Sequence, residues 1–182
     1  MRTALFAAAL ALPLAAAAQT TPEYQPTGEI NFRAGGIATG ASYDEGRVIG
    51  PSVNMQESEG GSWIGDIGGS NVDLEISDDK VNGVGVDLHV KQEKNRVTIR
   101  GNVFNRRVSM EVDDKKVSGR AGDCSIDLQR QSPGLFVGNI GCSRGTQTPQ
   151  IARAEMRFTG TAAEKNPPHP QFALALVSVL PL

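Results

Sequence analysis

From Trp63 onward apolar and polar residues alternate with a period of two, the pattern of antiparallel strands with one buried face. Trp63, Gly65 and Ile67 on one strand and Val72, Leu74 and Ile76 on the next point inward, and Asp66, Asp73 and Glu75 point out. The arrangement returns at Ile99, Gly101, Val103, Val108, Met110 and Val112, with Arg100, Asn102, Ser109 and Glu111 outward. Stretch 63–80 lies over 99–116 without a gap, and a glycine recurs at Gly65, Gly83, Gly101 and Gly119, with Gly138 one step late. The unit is a β-hairpin of about eighteen residues.

Turn chemistry sets the expected register. Gly69-Ser70 suits a two-residue hairpin loop, and the acidic runs at Asp78-Asp79-Lys80 and Asp113-Asp114-Lys115-Lys116 read as longer links. This places Gly65 opposite Leu74, Ile67 opposite Val72, Gly101 opposite Met110 and Gly119 opposite Leu128. A glycine beside a large side chain suits a strongly curved sheet that must fill its interior.

A turn around Ser132-Pro133-Gly134 puts Gly138 opposite Leu128, Ile140 opposite Ile126 and Cys142 opposite Cys124. Facing cysteines in an exported chain form a disulfide. Closing a loop of this length contributes about 3 kcal/mol in the chain-entropy model.

On the outer face the same register sets Arg100 against Glu111 and Arg120 against Asp127. It also sets Asp66 against Asp73 with Glu75 close by, a weak candidate calcium site. Three carboxylates from flat strands supply too few oxygens for that cation, so no metal is assigned.

Around this repeat the chain is less regular. The segment Val81 to Val90 reads either as a short hairpin turning at Val84-Gly85 or as one long strand with a bulge. Arg47 to Met55 is a strand broken at Gly50-Pro51, and Ala152, Ala154, Met156 and Phe158 form a late one. Eight to ten strands are expected between residues 47 and 160. Residues 19–46 are turn-rich and read as an irregular arm. Within 161–182, Lys165 to Pro170 is a stiff proline-rich linker. Gln171 to Leu182 is apolar on both parities and reads as a strand buried on both faces, closing the barrel, or else as a segment that docks on a partner's sheet edge. The fold class is therefore all-β: an antiparallel meander of repeated hairpins, an up-and-down barrel or barrel-like sandwich with one disulfide.

Met1-Arg2-Thr3, the apolar run Ala4 to Leu14 and the small residues Ala15 to Ala18 read as a secretory signal, 1–18. Export, to the periplasm or the medium, is the expectation. The formal charge of -2 conceals a division. Residues 1–80 hold four Lys+Arg and eleven Asp+Glu, and residues 81–182 hold fourteen and nine, giving -7 and +5. A basic half can attract polyanions. Few, dispersed aromatic residues argue against a nucleic-acid platform. No apolar run is long enough to span a bilayer as a helix, and charged outer faces on short strands argue against a lipid-embedded barrel.

Several patterns in the chain bear on catalysis. Gly141-Cys142-Ser143-Arg144-Gly145 matches G-x-S-x-G, with Glu155 or Glu164 and then His169 in hydrolase order. That pattern has meaning only at a strand-to-helix turn of an α/β sheet, and Cys142 is taken by the disulfide. The two histidines, His89 and His169, have no metal-ligand spacing, and no phosphate-binding or dinucleotide motif is present. The expectation is a non-catalytic binding or interaction protein without cofactor. In one reading the interior at Val72, Leu74, Val108, Met110, Val117 and Leu128 holds a small apolar molecule. In the other, an envelope-structural protein engages a protein partner through its surface or apolar tail.

Overall fold

Fourteen strands carry the alternation round a full circle. They are β1 (Gly28–Ala34), β2 (Ile37–Tyr43), β3 (Arg47–Gly50), β4 (Val53–Glu57), β5 (Trp63–Ile67), β6 (Ser70–Ser77) and β7 (Lys80–Gly83), then β8 (Val86–Glu93), β9 (Arg96–Val103), β10 (Arg106–Asp113), β11 (Lys116–Ala121), β12 (Cys124–Ser132), β13 (Leu135–Cys142) and β14 (Gln150–Gly160). Each pairs antiparallel with its sequence neighbours, and β1 pairs with β14 to close an up-and-down barrel. This computed structural model describes residues 24–143, 145, 148–164 and 169–182. The expected signal segment and linker residues 165–168 lie outside them.

The expected face assignment holds throughout. Val72, Leu74, Val108, Met110, Val117 and Leu128 are all buried, while Asp66, Asp73, Glu75, Arg100 and Asn102 are not. Cys124 and Cys142 are cross-strand partners and form the disulfide, with Ile126 opposite Ile140 and Leu128 opposite Gly138.

The hairpin register of the earlier repeats differs from expectation by two residues. The loop is Gly68-Gly69, both left-handed at φ 60° and 78°, so Ser70 already belongs to β6. Two glycines take these backbone angles without a side-chain penalty, which a glycine followed by serine does not. Gly65 consequently faces Val72, Gly101 faces Val108 and Gly119 faces Ile126 in the following strands. Arg100 faces Ser109 instead of Glu111, which pairs with Arg96 at 2.8 Å, and Arg120 faces Ser125 instead of Asp127.

Three further expectations need correction. Twelve strands, not eight to ten, lie between residues 47 and 160, because the chain turns at Pro51-Ser52 and at Val84-Gly85, the hairpin alternative. The arm 19–46 contains β1 and β2, which are integral to the wall. The C-terminal segment is a helix, α1 (His169–Val179). Phe172 through Val177 are fully buried.

The barrel itself explains the helix. A closed barrel offers no free edge, so a strand inside it would leave its N–H and C=O groups unpaired away from water. A helix pairs its own backbone, and one that is apolar on every side belongs in an interior. α1 packs against β1, β2 and β3 on one side and β7 and β8 on the other.

Its direction defines the two ends of the barrel. At the basal end Gln171 Nε2 donates to the Glu45 carbonyl at 3.1 Å, and the Phe172 ring meets Phe158 edge-on, with Phe136 next in line. At the opposite end, the mouth, Leu182 reaches the Gly122 turn beside Arg106.

Candidate functional site

The interior expected to hold a ligand is occupied by the protein itself. All six interior residues belong to one hydrophobic core with α1, and none of them lines the cavity at the mouth. Their apolar character serves packing around the helix.

One open space lies where α1 ends. There a cavity of about 590 Å³ is floored by Phe32, Ile140, Val179, Leu180 and Leu182, with the Cys124–Cys142 bridge in its wall. Thr39, Ser52, Arg106, Asp123, Ser143, Thr148, Gln150 and Ser178 supply its polar groups. A smaller cavity of about 250 Å³ lies against Ile67, Val103 and Phe104 and shares Ser52, Arg106, Leu180 and Leu182 with the first. The last turn of α1 and the residues after it therefore divide the mouth. At the basal end a space of about 310 Å³ adjoins the Phe136, Phe158 and Phe172 rings.

Chain topology places these groups. β12 and β13 bring the two cysteines to the mouth, and the disulfide fixes that edge. Arg106 opens β10 and lies across Gly122, with its Cδ 3.6 Å from where a Cβ on that glycine would stand. Among the described residues no carboxylate lies within 4.0 Å of the Arg106 guanidinium, and no hydrogen bond holds it. A site of this volume with an apolar floor and polar side chains around it has the makeup of a small-molecule pocket. Sequence reasoning missed it because the floor depends on where a helix ends inside a barrel, which periodicity does not report.

The other sequence candidates are scattered. Asp66 faces Asn71, and Asp73 faces Ile64, so the expected carboxylate pair does not form. No group of three His, Cys, Asp or Glu is gathered among the described residues. His89 is exposed on β8, 4.0 Å from Asp87, which also meets Lys80 at 3.6 Å. Ser143 follows β13, the next element among the described residues is the strand β14, and Cys142 is in the disulfide. Arg144 of that motif lies outside the described residues. Glu155 sits on β14 with Arg157 at 3.8 Å, and Glu164 lines the basal space, so the hydrolase order brings no triad together.

Raised pKa values mark structural tyrosines, not a reactive centre. Burial pushes the Tyr43 hydroxyl up to about 12, and burial likewise raises Tyr24. Compared with protein-family models, with curated proteins and with solved structures, the chain matches none.

Proposed function

We propose that this is a non-catalytic exported binding protein that holds a small, largely apolar molecule in the mouth cavity. The observation that carries the reading is the cavity of about 590 Å³ with its apolar floor, within the usual range of about 300–1,000 Å³ for small-ligand sites. Export is supported by the N-terminal pattern of charged start, apolar run and small residues, and the disulfide fits an oxidising compartment. The reading of the tail as a docking segment loses its support, since α1 buries its apolar residues within the same chain. Among the described residues no constellation of nucleophile, base and orienting group accompanies the cavity, which favours binding over catalysis.

Native mass spectrometry of the protein recovered from its own exported fraction, beside the same sample denatured, tests this role. Extra mass present natively and lost on denaturation identifies the cargo, and Ile140→Trp, which fills the floor, should abolish it. A bare chain carrying only the disulfide's two-hydrogen deficit overturns the proposal.

A further inference from the structure

The two ends of the barrel are built from different residues. At the mouth, the six two-residue turns Gly35-Gly36, Pro51-Ser52, Gly68-Gly69, Val84-Gly85, Phe104-Asn105 and Gly122-Asp123 contain one charged residue, Asp123, and the longer seventh link, 143–149, has one in its sequence, Arg144. At the basal end the links at 44–46, 58–62, 78–79, 94–95 and 114–115 all carry charge, and only Pro133-Gly134 does not. Five large apolar side chains are exposed among the described residues, and four of them stand at the mouth: Ile37 (66%), Val84 (77%), Phe104 (36%) and Ile151 (74%).

Turn tips ordinarily take Gly, Asn, Asp or Ser. Phe104 instead holds φ 47° in a turn whose second residue, Asn105, holds φ 63°. A bulky side chain is costly there, and the part of the Phe104 ring not resting on Gly85 is exposed.

On the outer wall, from just below this rim at Arg107 to mid-strand at Arg100 and Arg120, lies a cluster of arginines. Ser109 of β10 faces Arg100 of β9 on one side and Arg120 of β11 on the other. Strand spacing sets these two arginines about 10 Å apart. Arg107, opposite Asn102, projects from the same face of β10 as Ser109. None of the three has a hydrogen bond or a carboxylate within 4.0 Å among the described residues. Three acids lie one diagonal step away on the same face: Asp87, which meets Lys80, Glu111, which meets Arg96, and Asp127, which faces Ser118 beside Arg120. Like charges gathered on neighbouring strands are unfavourable without counter-ions, and guanidinium groups match the geometry of phosphate oxygens.

From this juxtaposition we propose that the mouth end docks on a lipid surface bearing anionic headgroups. Ile37, Val84, Phe104 and Ile151 enter the acyl boundary, while Arg100, Arg107 and Arg120 meet headgroup phosphates. Apolar anchors combined with a basic cluster are what interfacial binding requires, since either term alone is weak. A soluble polyanion would satisfy the arginines but leaves the apolar turn tips without a partner. Docked in this way, the mouth cavity opens toward the lipid. That route for cargo rests on the proposed binding role, whereas docking itself does not.

The test is co-sedimentation of the exported protein with vesicles of phosphatidylcholine and with vesicles in which part of it is replaced by phosphatidylglycerol. Binding is expected to the anionic vesicles, with a much weaker association with the neutral ones. Replacing Arg100, Arg107 and Arg120 together by Ser should weaken it about a hundredfold, at roughly fivefold per cation. Phe104→Asn combined with Ile37→Ser should weaken it about tenfold through lost apolar burial, and Asn at 104 relieves the turn so that the fold is retained. No sedimentation, or equal sedimentation with neutral vesicles that ignores the arginines, overturns the proposal. So does capture on dextran sulfate with the same arginine dependence while vesicle binding ignores Phe104 and Ile37. Extra mass in the native spectrum reports on cargo separately, so the two proposals can fail independently.

Discussion

Gly101 stands directly opposite Leu88, and a side-chain carbon on Gly101 would lie 1.9 Å from the Asp87 carbonyl oxygen. The relationship recurs round the barrel. Gly65 faces Met55, Gly83 faces Leu74, Gly119 faces Met110 and Gly138 faces Leu128, each glycine with a fully buried residue on the preceding strand. The eighteen-residue repeat is thus a large residue on one strand and a glycine beside it on the next. The missing side chain lets the neighbouring backbone close in, which bends the sheet tightly enough to shut.

Gly101→Ala should destabilise the protein by about 3 kcal/mol, because φ 152° is a region that essentially only glycine occupies and the clash is with backbone. Gly36→Ala is the comparison, since its φ of 85° is also left-handed but nothing lies within 4 Å. It should cost about 1 kcal/mol. Urea unfolding of both variants gives the two values, and equal losses would remove close backbone approach as the reason for the repeat.

The disulfide closes a loop of 18 residues between adjacent strands that already pair. Replacing Cys124 and Cys142 together by Ala should lower stability by about 3 kcal/mol and leave the strand signal in circular dichroism intact. A variant that loses the strand signal would show that the barrel depends on the bridge and not on its core alone.

The register error has an instructive physical cause. Moving a two-residue loop by one position changes every facing pair by two residues, which preserves the parity of both strands. Leu74 and Met110 therefore remained inward and Asp73 and Arg100 outward, although their cross-strand partners were wrong. In the last hairpin Gly134 falls in the loop, and the Cys124–Cys142 pairing follows. β1 and β2 did carry a signal, with Ile30 and Phe32 alternating against Glu29, Asn31 and Arg33, but the glycines around them hid it. The mouth cavity was not legible, because its floor comes from β1, β13 and the end of α1, segments brought together only by closure.

The nature of the C-terminal segment was ambiguous for a different reason. A strand buried on both faces and a helix buried all round are both apolar without period, so Phe172 to Leu182 fits either. Leu174→Asp distinguishes their consequences, since it puts a charge at a position with no exposed surface. It should leave a barrel without a packed interior, read as loss of near-ultraviolet dichroism from Trp63 and binding of a hydrophobic dye. Leu174→Ala should cost about 2–5 kcal/mol and keep the native signal. Native dichroism in the Asp variant would show that the barrel does not need α1 at its centre.

Tyr43 predicts how stability changes with alkali. Its ring is fully buried over Gly28, the residue opposite it on β1, and its oxygen accepts a hydrogen bond from the Thr161 hydroxyl at 3.2 Å. Burial favours the neutral phenol and raises its pKa from 10.0 to about 12. Between these values the unfolded chain releases the proton and the folded one keeps it, so stability must fall as pH rises. The contribution is complete below pH 10, declines by about 1.4 kcal/mol per pH unit, and is gone above about pH 12. Tyr24, raised in the same direction, adds a smaller slope of the same sign. Urea midpoints of the wild type and Tyr43→Phe across this range check the assignment. The variant should lose most of the alkaline slope, and an unchanged slope would mean that a group other than Tyr43 is responsible.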